Sequence, residues 1–117
     1  MKTPTLASEH QSLLEAAIQQ LSQDSLCLEI RHYPAVVATA NGDTLHLLVI
    51  MQRELTQAER RNTMATLQQL AEQHNTKIDV LFSSPKVWRD LKNLVSPFTH
   101  IDRTAVIDWQ LDNQGMR

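Results

Sequence analysis

The chain has 117 residues, of which 42% are hydrophobic and 21% are charged, and its formal net charge at pH 7 is −2. This length and composition predict a single globular domain over residues 1–117 and argue against wholesale disorder. Eleven basic residues against thirteen acidic ones exclude the global positive field that drives nonspecific nucleic-acid binding, so we expect no nucleic-acid partner.

The N-terminal sequence and the single cysteine bear on the cellular compartment. The opening MKTPTLASEH lacks the apolar run of a signal peptide, and no segment is apolar for long enough to span a membrane. We therefore expect a cytoplasmic protein without a membrane segment. Cys27 is the only cysteine, which excludes an internal disulfide and a zinc site built from several cysteines. It lies in the apolar run LCLEI, which predicts a buried and unreactive thiol.

Residues 8–25 predict an amphipathic helix, because apolar residues recur there at helical spacing. These residues are Leu14, Ala17, Ile18 and Leu21. From Leu26 to Ile30 the apolar residues alternate with polar ones or cysteine, which is typical of a strand. The start of the chain therefore predicts one helix followed by extended structure.

A β-hairpin is predicted around Asn41-Gly42, the strongest turn signal in the chain. Pro34 precedes this hairpin and is expected at an edge, a bend or a bulge. The apolar segments on either side of the turn, Ala35–Ala40 and Thr44–Met51, are predicted to pair antiparallel.

The second half of the chain begins with clear helix signals. Thr56 and Glu59 have the spacing of a capping box at the start of a helix. The segment TKIDVLF alternates as a strand does, and Ser84 followed by Pro85 predicts the cap and first turn of another helix. That helix is predicted to carry an apolar stripe over Val87, Trp88, Leu91, Leu94 and Val95. A short helical turn over Phe98–Arg103 and an edge strand over Ala105–Leu111 are predicted to follow.

Together these segments predict an α+β fold with the element order α-β-β-α-β-α-β. The hairpin makes the sheet mixed, because the strand–helix–strand unit from Thr44 to Phe82 should be a right-handed crossover with parallel strands. We expect a mixed four-stranded sheet with the helices mainly on one face. Residues 1–7 and 112–117 are predicted to be frayed.

His46 and Asp79 are the candidate catalytic residues. Each lies in the middle of one of the two strands that the crossover helix joins, so their side chains should share a face of the sheet. A histidine and an aspartate can form an oriented acid–base pair or supply two metal ligands. The alternative is a polar notch, in which His46 is hydrogen-bonded and Asp79 is solvated. Two residues do not define a metal site, so no metal is predicted.

The other histidines and the basic residues have no spacing that defines a site. We expect the histidines on the surface; they are His10, His32, His74 and His100. Five basic residues could contact nucleic-acid phosphates, but they also fit solvated helix faces with local ion pairs. These residues are Arg60, Arg61, Lys86, Arg89 and Lys92.

The last predicted strand carries Ile107, Trp109 and Leu111 in alternation. An exposed edge strand with apolar side chains invites a partner. We therefore predict that these three residues bind another protein or a second copy of the chain.

The segment from Leu45 to Ile107 resembles the minimal nucleotidyltransferases, small domains with the palm fold of DNA polymerase β. The matching phrases are LHLLVI, then a helix, then KIDVLFSSPKVWRDLKNLVSPFTHIDRTAVI. Members of that family typically show a strand of the type Asp-Ile-Asp-Leu-Leu-Val and, after a helix, a strand with Ile-Asp-Val. A helix opened by SP, the phrase SPF and a final strand follow. The resemblance implies a palm-like sheet.

The chemistry of that family needs three carboxylates. Two of them, one residue apart on the first strand, hold two Mg²⁺ ions with the nucleotide phosphates, and the third activates the attacking hydroxyl. The resemblance places Thr44 and His46 at the two metal-binding positions and Asp79 at the third. Asp43 is one residue out of phase, so it would face the wrong side of the strand.

The Gly-Ser signature of the family is absent as well. The chain reads AVVATANGDTL there, which predicts a tight hairpin with no room for a triphosphate-binding loop. The resemblance therefore implies a degenerate member without a cofactor or enzymatic activity, which acts through protein–protein contact as an antitoxin-like or regulatory subunit. Two alternatives stay open. One is a divergent active nucleotidyltransferase that uses a nucleoside triphosphate and one Mg²⁺; the other is a small nucleic-acid-binding module.

Overall fold

A computed structural model describes residues 8–34, 44–94 and 98–111, which contain four helices and four strands. The predictions for residues 1–7 and 112–117 lie outside these ranges. In chain order the elements are α1 (Ser8–Leu21), β1 (Cys27–Tyr33), β2 (Thr44–Met51), α2 (Gln57–Gln73), β3 (Lys77–Ser83), α3 (Pro85–Leu91), α4 (Phe98–Thr104) and β4 (Val106–Gln110).

The four strands form one mixed sheet with the order β3-β2-β1-β4. Strand β1 is antiparallel to both β2 and β4, whereas β2 and β3 are parallel. Helix α2 connects the two parallel strands, as predicted for the crossover. The predicted α+β fold with a mixed four-stranded sheet is therefore confirmed, and β4 is an edge strand as expected.

Strand β2 separates two apolar cores, because successive side chains of a strand point to opposite faces of the sheet. Leu47 and Val49 belong to the first core, to which helices α1 and α2 contribute. Leu48 belongs to the second core with Trp88 of α3 and Ile101 of α4. The two long helices thus cover one face, and the two short helices lie against the other. Full burial of one leucine contributes about 1.5–3 kcal/mol, so β2 anchors both layers.

The predicted pairing of Ala35–Ala40 with Thr44–Met51 is wrong about the partner strand. Strand β2 pairs instead with Cys27–Tyr33. The next residue, Pro34, has no backbone N–H and cannot extend a strand that is paired on both sides, so β1 ends before it. Residues 34–43 connect the two strands, and the predicted turn lies outside the described residues.

The starts of α2 and α3 form as their sequences predict. The Thr56 hydroxyl accepts a hydrogen bond from the Glu59 N–H at 3.1 Å, and the Glu59 carboxylate accepts one from the Thr56 N–H at 2.9 Å. Hydrogen bonds from the Arg53 guanidinium, together with the Thr56 N–H, lower the pKa of Glu59 to about 2. Ser84 caps α3, with Pro85 in its first turn. Both helix starts can be predicted from the sequence because each signal spans only a few residues.

Helix α3 is shorter than its apolar stripe predicts. It ends at Leu91, and Leu94 is 69% exposed. The predicted burial of Leu94 is therefore wrong, and Val95 lies outside the described residues. A turn follows the helix and moves Leu94 off the buried face.

Candidate functional site

His46 and Asp79 are neighbours on the face of the sheet that carries α3 and α4. The strand register aligns the two residues, and His46 Nδ1 lies 3.6 Å from Asp79 Oδ2. The His46 side chain is 16% exposed and the Asp79 side chain is 70% exposed. The predicted proximity is thus confirmed, but the separation exceeds a normal hydrogen bond and the aspartate is mostly solvated.

Tyr33 lies on the other side of His46. The two residues are paired between β1 and β2, and their ring centroids are 5.6 Å apart. Burial, and to a lesser extent the negative charge of Asp79, raises the pKa of Tyr33 to about 12. The phenol is therefore neutral at physiological pH and does not serve as a general base. Sequence reasoning missed Tyr33 because it assigned another partner to β2.

The second ring nitrogen of His46, Nε2, is buried and forms no hydrogen bond with the described residues. A catalytic histidine is normally oriented by a short hydrogen bond at one ring nitrogen while the other faces the substrate. In the described part of the structure His46 has neither arrangement, so a catalytic role stays a prediction.

The three positions that the resemblance singles out share one face of β2 and β3. Thr44 precedes His46 by two residues and therefore points to the same side, and it is aligned with Lys77. A hydroxyl, an imidazole and one carboxylate stand at the positions where the resemblance leads us to expect three carboxylates. Mg²⁺ is bound by hard oxygen ligands, chiefly carboxylates. No group of three or more His, Cys, Asp or Glu side chains in the described ranges could hold a metal ion.

The connection between β1 and β2 bears on one argument about this site. Because β1 ends at Tyr33 and β2 begins at Thr44, residues 34–43 join them. Apart from Pro34 these residues lie outside the described ranges, so the inference that the connection leaves no room for a phosphate-binding loop stays a prediction. The Gly-Ser signature is still missing from the sequence of this connection, and Asp43 lies outside the described residues.

A second histidine–aspartate pair lies between β1 and β4. His32 Nδ1 is 2.7 Å from Asp108 Oδ2, and the two side chains are only 9% and 13% exposed. The register of β4 against β1 shifts by one residue at Asp108, between Ile107 and Trp109. A β-bulge of this kind can re-aim a side chain, and here it brings Asp108 to His32.

The expectation of a surface location is wrong for His32. His32 is 7% exposed, whereas His10 and His74 are half-buried and His100 is exposed. His32 Nε2 is buried without a hydrogen-bond partner in the described part of the chain, so a substrate has no access to it. We assign the His32–Asp108 pair to stability rather than to chemistry.

The single thiol of the chain is not available as a nucleophile. Cys27 is 1% exposed and lies in the first core, as the sequence predicts. Burial raises the pKa of Cys27 to about 11, so the thiol stays protonated at neutral pH.

The predicted partner residues Ile107, Trp109 and Leu111 do not form one apolar stripe. Ile107 is paired with Arg31 and Trp109 with Ile30, and consecutive residues of β1 point to opposite faces. Trp109 packs partly buried against the first core, whereas Ile107 is 49% and Leu111 37% exposed. The bulge therefore breaks the alternation that the sequence predicts, and the edge presents mainly Ile107 and Leu111 to solvent.

The five basic residues do not form one surface. Arg60 and Arg61 lie on α2, which packs on the first core. Lys86, Arg89 and Lys92 lie on or directly after α3, on the opposite side of the sheet. A nucleic-acid-binding surface that uses all five residues is therefore wrong.

Comparisons of the chain with models of protein families, with curated proteins and with solved structures find no match. The resemblance to the minimal nucleotidyltransferases therefore rests on the sequence phrases alone and stays a prediction. None of the described helices is both long and apolar enough to cross a membrane.

Proposed function

We propose that this protein is a non-catalytic domain of the nucleotidyltransferase type that acts by binding another protein, as an antitoxin-like or regulatory subunit. The observation that supports this best is the set of side chains at the three aligned positions. Thr44, His46 and Asp79 share one face of two neighbouring strands, and only one of them is a carboxylate. If the resemblance holds, these three positions lie close together but lack two of the three carboxylates that bind the metal ions.

The electrostatics of this face support the same proposal. In-line phosphoryl transfer relies on metal ions that neutralise charge developing on the phosphate oxygens. Lys77 is aligned with Thr44, so its positive charge lies beside the face of the sheet where metal ions would have to bind. This charge disfavours the binding of a cation there. Tyr33, with its raised pKa, adds no anionic ligand.

The edge strand β4 supports a role in protein contact. Its outer side has no strand partner in the sheet order that the described residues form, and Ile107 is half-exposed there. A partner that adds a strand to such an edge forms main-chain hydrogen bonds and buries the exposed side chains. We propose that this edge, with Ile107 at its centre, is the binding surface.

Partner capture from the native host with the tagged chain tests this proposal. The amount of partner captured by the Ile107→Glu variant should fall by about tenfold or more, because the substitution would bury a carboxylate at the contact. Asp79→Ala is the matched control, because it changes the candidate catalytic position and leaves β4 intact, and it should capture as the wild type does.

Two outcomes would contradict the proposal. One is that Asp79→Ala loses the partner, and the other is that Ile107→Glu keeps it. Sedimentation of the same three proteins shows whether the captured partner is a second copy of the chain, and circular dichroism checks that each variant is folded.

A second candidate function is a divergent nucleotidyltransferase that uses one metal ion. The contact of His46 with Asp79 is the observation that favours it, since a histidine and an aspartate can share one metal. Nucleotide transfer that depends on Asp79 would distinguish this enzyme from the proposed binding protein.

A further inference from the structure

A cavity of about 640 Å³ lies between α3 and the sheet, at the end of β2 away from His46. Ile50 contributes to it and lies four residues beyond His46, which is about 13 Å along a strand. The cavity is therefore separate from the candidate catalytic site. Its volume falls within the range of about 300–1,000 Å³ that is usual for small-molecule sites.

The floor of the cavity is apolar. It includes Ile50, Leu28 and Trp88, of which Ile50 and Trp88 are each 4% exposed. The Trp88 indole N–H donates a hydrogen bond of 3.1 Å to the Asp102 carboxylate, which fixes the ring. A ligand in this cavity would thus meet a flat apolar surface that is already ordered.

The wall of the cavity is basic. Three basic side chains and one acidic side chain line it, whereas the whole chain has a net charge of −2. The basic residues are Arg31, Arg89 and Lys92, and the acidic residue is Glu29. Arg89 lies near the end of α3 and Lys92 directly after the helix, and both line the cavity.

The carboxylates near the cavity neutralise two of these three positive charges. Arg31 forms ion pairs with Glu29 at 2.9 Å and with Asp102 at 3.4 Å, and Lys92 lies 3.9 Å from Asp102. Arg89 forms no ion pair with a carboxylate of the described residues. One positive charge therefore remains, at the guanidinium of Arg89.

We propose that this cavity binds a carboxylate attached to an apolar body. The carboxylate pairs with Arg89, whose planar guanidinium can form two parallel hydrogen bonds with it, and Lys92 lies beside the pair. The apolar body covers Trp88 and Ile50. A single unpaired charge matches a monoanion better than a doubly charged phosphate. A free carboxylic acid and the C-terminus of a peptide both present this chemistry.

Titration of the ¹⁵N-labelled full chain with hexanoate, followed by NMR, tests the proposal. Hexanoate should shift the Trp88 indole N–H resonance saturably, and 1-hexanol at the same concentrations should not. Arg89→Gln should weaken hexanoate binding by about tenfold, because a charge-assisted hydrogen bond is lost. Lys86→Gln is the matched control: it removes the same charge from the same helix at a residue that does not line the cavity, and it should leave the affinity within about twofold.

A peptide ending in leucine, as the free acid and as the amide, identifies the source of the carboxylate. Tighter binding of the free acid than of hexanoate assigns the cavity to a peptide C-terminus, and the reverse order assigns it to a small acid. Equal losses in the Arg89→Gln and Lys86→Gln variants, equal binding of hexanol, or no saturable shift with any carboxylate would overturn the proposal. None of these results depends on partner capture by Ile107, so the two proposals fail separately.

Discussion

Replacing Asp108 by alanine should lower the free energy of unfolding by about 1–3 kcal/mol, which is the cost of leaving a buried polar group without its partner. The 2.7 Å contact with Asp108 is the hydrogen bond that the structure gives to the His32 ring. His32 Nε2 already has no hydrogen-bond partner among the described residues. The substitution would therefore leave both ring nitrogens unpaired in the interior, and we expect the upper part of the range. Urea denaturation measures the loss.

The control for this prediction is Asp79→Ala, because it makes the same chemical change in the other histidine–aspartate pair. Asp79 is 70% exposed and lies 3.6 Å from His46 Nδ1, so its removal should change the stability by less than about 0.5 kcal/mol. The two substitutions separate the effect of burial from the effect of the residue type.

The single variant His32→Leu and the double variant His32→Leu/Asp108→Ala complete the double-mutant cycle. Removing both partners leaves no unsatisfied nitrogen beside Leu47, which is paired with His32 in the sheet. We therefore expect the double variant to be more stable than Asp108→Ala alone. An Asp108→Ala effect as small as that of Asp79→Ala would contradict the structural role of the buried pair.

The double variant Thr44→Asp/His46→Asp should bind Mn²⁺ where the wild-type chain does not. Together with Asp79 it would place three carboxylates on one face of two strands about 4.8 Å apart. We expect a dissociation constant on the order of 1 mM, as in the weakest carboxylate sites for divalent cations. Without metal the added charges repel one another, so this variant should be less stable than the wild type.

Paramagnetic broadening of amide resonances around Tyr33 and Asp79 measures the binding. Mn²⁺ at about ten times its dissociation constant should also raise the stability of the double variant by about 1.4 kcal/mol. Adding Asp79→Ala to the double variant should abolish most of the binding. If the wild type binds Mn²⁺ at this face as tightly as the double variant, or if the double variant does not bind, the proposed correspondence with the catalytic carboxylates is wrong.

Local signals in the sequence predicted most of the fold. The capping pair Thr56 and Glu59 lies within four residues, and the helix and strand periods can be read over ten residues or fewer. The proximity of His46 and Asp79 also followed from the sequence, because a crossover helix between two parallel strands makes those strands neighbours. Predictions of this kind need only short segments and one topological rule.

The partner of β2 could not be predicted in the same way. The Asn41-Gly42 signal favours local pairing, but the structure pairs β2 with Cys27–Tyr33, so the segment that holds the turn signal lies outside this pairing. The competing signal was Pro34, which ends β1. The burial of a central strand therefore outweighs a turn signal of two residues.

The pair of His32 and Asp108 was missed for a different physical reason. A bulge in β4 brings Asp108 to His32 and also separates Ile107 from Trp109. A strict period of two residues cannot represent one extra residue in a strand. Both the missed pair and the wrong apolar stripe follow from this single irregularity.

The most direct test of the central claim is the transfer of labelled nucleotide. The chain, alone and with its captured partner, is incubated with Mg²⁺ and each of the four labelled ribonucleoside triphosphates, and the Asp79→Ala variant is treated in parallel. We expect no Mg²⁺-dependent label on either protein above the enzyme-free blank, because Thr44 and His46 occupy two of the three positions that the resemblance assigns to metal-binding carboxylates. Transfer of label by the wild type that is lost in Asp79→Ala would contradict the account and identify an active nucleotidyltransferase.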